Sequence, residues 1–454
     1  MALPAQNVEN PYGDIRTYER SVEHQQRAHR LIPGGAHTYA RGDDQMPAAA
    51  PVVVDRGEGC FVWDVDGNRY IEYGMGLRAV TLGHAFKPVN DAVAWQLGRG
   101  AGFTRPAALE LEAAEAFLDL VPGADMVKFC KDGSNATTAA IKLARAATGR
   151  DIVAYCSDHP FFSQDDWFIG TTPMNAGIPQ AISDLSIGFP YGDLAALERV
   201  LVERDGEIAA VILEPDRGSE DVGSYLAGVR DLCRRNGVVL IFDEMITGFR
   251  WHNGGAQALY NVTPDLSAFG KALANGFSVS ALCGKREIME LGGLHHARDR
   301  VFLLSGTHGA ELPALAASIA TIETYRSRDV VGHLHGAGAR LRRGIAAKTA
   351  ALGISDYFEV LGRDCNLVYA TRDESGNPSQ DFRTLFLQET IARGLLAPSL
   401  VTALAHDNDI IDETIEIVGE ALKVYALALT NGVHTHLRGR PVQPVFRRLN
   451  DPVH

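Results

Sequence analysis

Long apolar runs are missing from this 454-residue chain. No stretch of 18 or more apolar residues occurs, so no membrane-spanning helix is predicted. Met1 to Arg30 are polar and charged and hold no apolar centre of a secretory signal, so secretion is not expected. Positive charge is also scarce: 43 Lys and Arg stand against 56 Asp and Glu, for a net charge of −13. General nucleic-acid binding, which needs a basic face to replace phosphate counterions, is therefore not expected. Cysteine is sparse, at positions 60, 130, 156, 233, 283 and 365. None falls within metal-ligand spacing of another, so no metal site is expected, and the six read as reduced thiols of a cytoplasmic protein. Internal repeats and low-complexity segments are absent as well.

What is present describes a globular protein of more than one core. Hydrophobic residues make up 46% and charged residues 22%, and the length exceeds what a single hydrophobic core serves. The acidic balance is compatible with a cationic substrate, although solubility alone explains it.

Short β-rich apolar runs alternate with helical patterns, which predicts an α/β fold with a mostly parallel sheet covered on both faces. The predicted strands are Met126 to Cys130, Asp151 to Cys156, Ala209 to Leu213, Val238 to Asp243, Leu266 to Gly270, Ser280 to Cys283 and Val301 to Leu304. Ala136 to Ala147 reads as a helix whose stripe is Ile141, Leu143, Ala144 and Ala147. Upstream, Gly59 to Ile71 reads as a hairpin turning at Asp66-Gly67-Asn68. Ile410 to Leu429 reads as a long amphipathic helix. The expected organisation is an N-terminal helix-and-hairpin segment over 1–70, which joins the small domain and the mouth of the site, and a large domain over 71–327. A smaller α+β domain follows over 328–433, then an arm over 434–454, either packed in extended form or mobile.

Two strand ends carry chemistry. Asp243 closes the apolar run Val238-Val239-Leu240-Ile241-Phe242, and Lys271 follows Phe269-Gly270. A buried carboxylate and a lysine at strand ends are what a protein needs to hold pyridoxal 5′-phosphate (PLP): the amine bonds the cofactor carbonyl, and the carboxylate keeps the pyridine nitrogen protonated. Either residue alone is equally an ordinary loop residue. Lys131-Asp132-Gly133-Ser134-Asn135-Ala136 is a small-residue turn opening into a helix, where free N–H groups and the helix dipole receive a phosphate. The plain alternative is an N-cap made by Ser134 or Asn135.

Taken in order, Gly133-Ser134-Asn135, Glu214-Pro215, Asp243 through Arg250, Gly270-Lys271 and Gly306-Thr307-His308-Gly309 resemble the class III aminotransferases. These belong to fold type I, with a large domain built on a mostly parallel seven-stranded sheet and a smaller α+β C-terminal domain. The match is closest to the branch containing glutamate-1-semialdehyde 2,1-aminomutase and spans Ile32-Pro33-Gly34-Gly35 to Ala405-His406-Asp407. The resemblance implies PLP as cofactor, Lys271 as the covalently linked lysine and proton carrier, Asp243 at the pyridinium nitrogen, and Glu214 orienting the site. It implies that Ser134, with the Gly133 and Asn135 backbone, holds the phosphate. Thr307 would join them from a neighbouring subunit, in a homodimer with shared active sites.

The chain departs from the family pattern in several places. Asp158-His159-Pro160 stands where Tyr-His-Gly is usual, leaving His159 or Phe161 to stack on the ring, or Pro160-Phe161-Phe162 as ordinary packing. Arg41 matches the family arginine for a substrate carboxylate, to which its planar fork is suited, and Arg78 is a second candidate. Lys271-Ala272-Leu273-Ala274-Asn275, His308-Gly309-Ala310-Glu311 and Leu395-Leu396-Ala397-Pro398-Ser399 differ from the mutase pattern.

The 39–45 and 307–311 segments are similar to those of the aminoglycoside 6′-aminotransferases of neomycin, butirosin and gentamicin pathways. That similarity implies ping-pong amine transfer between L-glutamate/2-oxoglutarate and a 6′-oxo sugar. Asp43, Asp44, Asp165 and Asp166 would then draw in a polycationic acceptor, or else merely form a turn and a helix cap. The alternatives are an intramolecular aminomutase, a PLP-dependent epimerase of an amino sugar, and a non-catalytic protein of the same fold.

Overall fold

The computed structural model describes residues 8–9, 15–51, 53–217, 221–309 and 311–449. Parts of the expected terminal segments, at 1–7, 10–14 and 450–454, and Ala310 of the 307–311 segment, lie outside the described residues. The chain divides into two compact units. One comprises Leu77–Val80, Lys87–Val331 and Arg448–His454; the other comprises Met1–Gly76, Thr81–Phe86 and Gly332–Arg447.

The first unit is built on a seven-stranded sheet of β1 (Met126–Cys130), β2 (Ile152–Cys156), β3 (Ser186–Phe189), β4 (Ile208–Leu213), β5 (Val239–Asp243), β6 (Leu266–Phe269) and β7 (Ser280–Gly284). Their spatial order is β1-β7-β6-β5-β4-β2-β3. All neighbours pair parallel except β7, which runs against both β6 and β1. Every residue of β4, β5 and β6 is buried, as expected for strands covered on both faces. The carboxyl ends of β1, β2, β4, β5 and β6 therefore share one edge.

The seventh strand differs from the sequence expectation. Val301 to Leu304 stays outside the sheet: Val301 and Leu303 pack into the core while Phe302 is 72% exposed. The short edge segment β3 takes its place.

Helix α1 (Gly133–Thr148) follows β1 directly and lays Ala136, Ala139, Ala140, Ile141, Leu143 and Ala144 against the sheet. Such small side chains let the helix axis approach closely. Helix α2 (Val222–Asn236) begins at Asp221, whose carboxylate accepts the Ser224 N–H, and adds Leu226, Val229 and Cys233 to the same core.

In the second unit, Val54–Glu58, Phe61–Asp64, Arg69–Glu72 and Leu395–Leu396 form a four-stranded sheet. Its hairpin turn is fixed by Asp64, whose Oδ1 accepts the N–H groups of Asp66 and Asn68 at 3.1 and 2.8 Å. Helix α3 (Asn408–Asn431) buries Ile411, Ile417, Val418, Ala421, Leu422 and Tyr425.

The C-terminal arm is anchored at one described residue. Val442 is buried beside Tyr18, Val62 and Tyr70, and its N–H donates to Thr384 Oγ1 at 2.9 Å.

Candidate active site

The sheet places its chemical residues at the ends of adjacent strands. Asp243 ends β5 and is 2% exposed. Its Oδ1 accepts the Met245 N–H at 3.0 Å, and its Oδ2 lies 3.5 Å from His159 Nε2. Glu214 follows β4 and presents Oε2 to His159 Nδ1 at 3.0 Å and to Arg217 Nη1 at 3.1 Å. His159, on the segment after β2, thus bridges two buried carboxylates, and Phe162 packs against its ring at 4.1 Å between centroids.

A carboxylate faces each nitrogen of His159, and Nδ1 also has the Arg217 Nη1 donor at 3.2 Å. Burial opposes a charged imidazole, but the hydrogen bonds to Asp243 and Glu214 outweigh it and raise the His159 pKa. Burial likewise pushes Glu214 upward, yet His159, Arg217 and Lys271 together hold it below the usual carboxylate range.

Lys271 opens the short 3-10 turn Lys271–Ala274 with φ +44°. A left-handed backbone at a non-glycine residue costs on the order of 1 kcal/mol or more, a kind of strain that concentrates at functional sites. Desolvation lowers the lysine pKa, against the opposing pull of Asp243 and Glu214, and the Arg78 and Arg250 charges lower it further. More of the amine is therefore neutral and nucleophilic than in an exposed lysine.

The glycine beside it is closely packed. A Cβ on Gly270 would lie 2.5 Å from Ser280 Oγ and 2.6 Å from Met245 Sδ, and one on Gly133 would lie 2.8 Å from the same sulfur, so these side chains would have to shift. Met245 thus seats the lysine strand and the turn before α1 against one another.

That turn is capped by Asp132, whose carboxylate accepts the Asn135 N–H at 2.9 Å. Neither Ser134 nor Asn135 is the cap, and the Asn135 N–H expected on a phosphate is engaged by the cap. Ser134 is buried and its Oγ accepts the Gln164 N–H at 3.0 Å. Gly133 and Ser134 remain at the helix N-terminus, where an anion is favoured.

Arg78 belongs to the same unit; burial lowers its pKa against the pull of Glu214, and its charge is felt by Lys271. It closes a left-handed turn in which Met75, Gly76, Leu77 and Arg78 have φ of 42°, 59°, 58° and 72°. Arg250, completely buried, donates from Nη2 to the Arg78 carbonyl at 3.1 Å.

Arg41, Asp43 and Asp44 belong to the other unit. Arg41 is exposed and lines a cavity of about 230 Å³ with Gln25, Asp43 and Arg440. The two aspartates are tied into the structure: Asp43 pairs with His29 at 3.3 Å and Arg440 at 3.2 Å, and Asp44 with Arg447 at 2.7 Å. The Arg440 and Arg447 guanidinium groups of the C-terminal arm thus meet both carboxylates.

Asp165 precedes the short helix Asp166–Ile169 without a side-chain cap bond. Phe162 is core, while Phe161 is 46% exposed. Thr307 is exposed at a turn closed by the Gly309 N–H on the Gly306 carbonyl at 3.2 Å. Sequence reading gave no role to Arg217, Arg250, Met245 or Asp132. A charge three residues after Glu214 was the available signal for Arg217.

This set suits PLP: a desolvated amine, a buried carboxylate, and a helix N-terminus opening on small residues. Comparison with known proteins agrees. Residues 38–356 match the family described as "Aminotransferase class-III". The chain is 33% identical over 89% of its length to a glutamate-1-semialdehyde 2,1-aminomutase of Natranaerobius thermophilus, covering 98% of that protein. It is 34% identical over 92% of its length to the enzyme of that name from Roseiflexus castenholzii, covering all of it. In fold it is similar to the FumI protein of a Sphingopyxis species in its PLP internal aldimine form, with TM-score 0.83 and 26% identity over 93% of this chain and 99% of that one. An omega-transaminase from Sphaerobacter thermophilus superposes with TM-score 0.79 and 26% identity over 89% and 97%. With a family match across most of its length and relatives of like extent, the chain belongs to the class III aminotransferases, PLP-dependent enzymes of fold type I.

Proposed function

We propose that this chain moves an amino group on a carboxylate-bearing substrate, and that its first reading is the intramolecular shift of a glutamate-1-semialdehyde 2,1-aminomutase. The observation that carries it is similarity at nearly full length to two enzymes of that name. Bound PLP supplies an electrophilic carbonyl carbon and a ring that stores electrons. Lys271 Nζ is the group that bonds this carbon and, once released, carries the proton to and from the reacting carbon, a task favoured by its lowered pKa. Asp243 holds the proton on the ring nitrogen, and Glu214 and His159 orient that carboxylate. Gly133 and Ser134 receive the phosphate, Arg78 and Arg41 are the candidates for the substrate carboxylate, and Thr307 completes the phosphate site of a second protomer in a homodimer. Six free, buried cysteines support work in a reducing cytoplasm.

A second reading is an aminotransferase that carries an amine from L-glutamate to the 6′-oxo position of an aminoglycoside. The segments at 271–280 and 307–311, which depart from the mutase pattern, favour it. The engagement of Asp43 and Asp44 with Arg440 and Arg447 removes one of its supports. Incubation with glutamate-1-semialdehyde in the absence of any amino acid or keto acid separates the two. Isomerisation there supports the first reading. Inertness, together with glutamate-dependent amination of a 6′-oxo aminoglycoside read by mass spectrometry, overturns it in favour of the second. Sedimentation showing a monomer under assay conditions would overturn the shared-site homodimer.

A further inference from the structure

Four charged groups run in line from the strand ends to solvent. Asp243 Oδ2 faces His159 Nε2 at 3.5 Å, His159 Nδ1 faces Glu214 Oε2 at 3.0 Å, and the same Glu214 oxygen meets Arg217 Nη1 at 3.1 Å. Arg217 Nη1 also stands 3.2 Å from His159 Nδ1. Two donors thus converge on one carboxylate oxygen. The inner three side chains are almost fully buried, whereas Arg217 keeps 27% of its surface exposed. The turn that delivers it is fixed on two sides. The Pro215 carbonyl accepts the Tyr191 hydroxyl at 2.9 Å, and the Asp216 carboxylate accepts Trp251 Nε1 at 2.7 Å and the Tyr260 hydroxyl at 2.5 Å.

We propose that Arg217 is a positioning and charge-compensating residue: by holding Glu214 it sets how strongly the Glu214–His159–Asp243 line stabilises positive charge on the bound cofactor. The proposal rests on the reading that Asp243 serves the ring nitrogen and that Lys271 bonds the cofactor. Glu214 is the only carboxylate in the line that contacts Arg217 among the described residues. Its charged surroundings are His159, Arg217, Lys271 and Arg78, and those of His159 are Glu214, Asp243 and Arg217, with the uncharged ring of Phe162 against it. Two carboxylates against one imidazolium leave the inner line net negative, which would overstabilise a nearby cation, the lysine–cofactor linkage included. One compensating guanidinium at its outer end moderates this while remaining outside the reacting volume.

The test is a pH titration of the visible absorption band of the holoenzyme, which reads the protonation of the lysine-linked cofactor independently of turnover. Arg217→Gln removes the charge and should move the titration midpoint up by about 0.5–1 pH unit, the size expected for one partly screened charge several ångströms away. Arg217→Lys keeps the charge and should titrate within about 0.3 unit of the parent. In a Glu214→Gln background, Arg217→Gln should shift the midpoint by less than half as much, because most of the coupling runs through that carboxylate. A midpoint unchanged in Arg217→Gln overturns the proposal, as does an equal shift in Arg217→Lys. Loss of thermal stability in either variant with an unmoved midpoint also overturns it and assigns Arg217 a structural role only. A parent protein that shows no titrating cofactor band would instead overturn the underlying reading of Lys271 and Asp243, and this outcome is distinct from all the others.

Discussion

Two buried histidines, one in each unit, face opposite surroundings. His159 sits between the carboxylates of Glu214 and Asp243. His406 is fully buried and stacked on Tyr73 at 4.2 Å. Its Nδ1 accepts the Ala403 N–H at 2.9 Å, and its Nε2 donates to the Glu72 carbonyl at 3.1 Å. A carboxylate at each nitrogen favours a second proton even with Arg217 close to Nδ1, whereas one donor and one acceptor call for the neutral ring. The His159 pKa is accordingly raised, while burial pushes that of His406 down to about 4. Burial alone thus decides neither protonation state, and the chemistry of the partners does. One region concentrates buried charge around a reaction, while the other uses a buried polar ring to hold packing together.

If that division is right, variants of the charged region lose rate and keep their fold, while variants near His406 do the reverse. The largest effect is expected for Lys271→Ala. Turnover should fall on the order of 10³-fold or more, with circular dichroism and melting of the apoprotein unchanged. Asp243→Asn should follow, with a loss on the order of 10²-fold in kcat, since the amide cannot hold charge on the ring nitrogen. A comparable loss of folded protein in either case would break the comparison.

The next effect is on stability. A folded-state pKa of about 4 for His406, against 6.5 unfolded, means that its contribution is intact above pH 6.5. It fades as pH falls toward 4, because the unfolded chain binds the proton first. Denaturant titrations of the parent should lose on the order of 2–3 kcal/mol over that window, and His406→Gln should flatten this part of the profile. His159 carries the opposite sign: its contribution to the apoprotein is full below pH 6.5 and is lost as pH rises through its raised pKa. His159→Gln should therefore flatten the alkaline side. Parallel profiles for the two variants would erase the distinction. The smallest effect, within about 1 kcal/mol, is expected for Asp43→Asn, which weakens a partly exposed ion pair of the C-terminal arm; faster proteolysis near Arg440 at unchanged kcat is the measurement.

The sequence made most of the sheet legible because β1, β2, β4, β5, β6 and β7 are compact apolar runs bounded by turn residues. It misassigned the seventh strand for a physical reason. Val301 to Leu304 alternates buried and exposed side chains as a strand does, but its backbone bonds, Val301 N–H to the Leu291 carbonyl at 2.8 Å and Gly306 N–H to the Leu304 carbonyl at 3.0 Å, reach loop neighbours rather than an adjacent strand. Ser186-Ile187-Gly188-Phe189 has little β-propensity, yet pairs with β2 in register. Propensity cannot report whether a neighbouring strand is available.

Lys271 and Asp243 were legible because strand ends in such sheets face the ligand. Asp43 and Asp44 were not, because the partner Arg440 lies 397 residues further along the chain. Arg217 escaped because its role depends on the geometry of Glu214 and His159 rather than on any local pattern.

The second unit is assembled from both ends of the chain. Ile71 and Glu72 pair with Leu395 and Leu396, and Asp43 and Asp44 wait for Arg440 and Arg447. The sheet of the first unit, by contrast, lies within one continuous stretch. During synthesis, the cofactor-binding sheet can therefore close while the early hairpin still lacks its last strand and the arm that fastens it. Truncated or stalled chains would thus carry a nearly complete cofactor platform beside an unfinished second unit with an unpaired strand edge, and quality control that senses such edges would meet it there first.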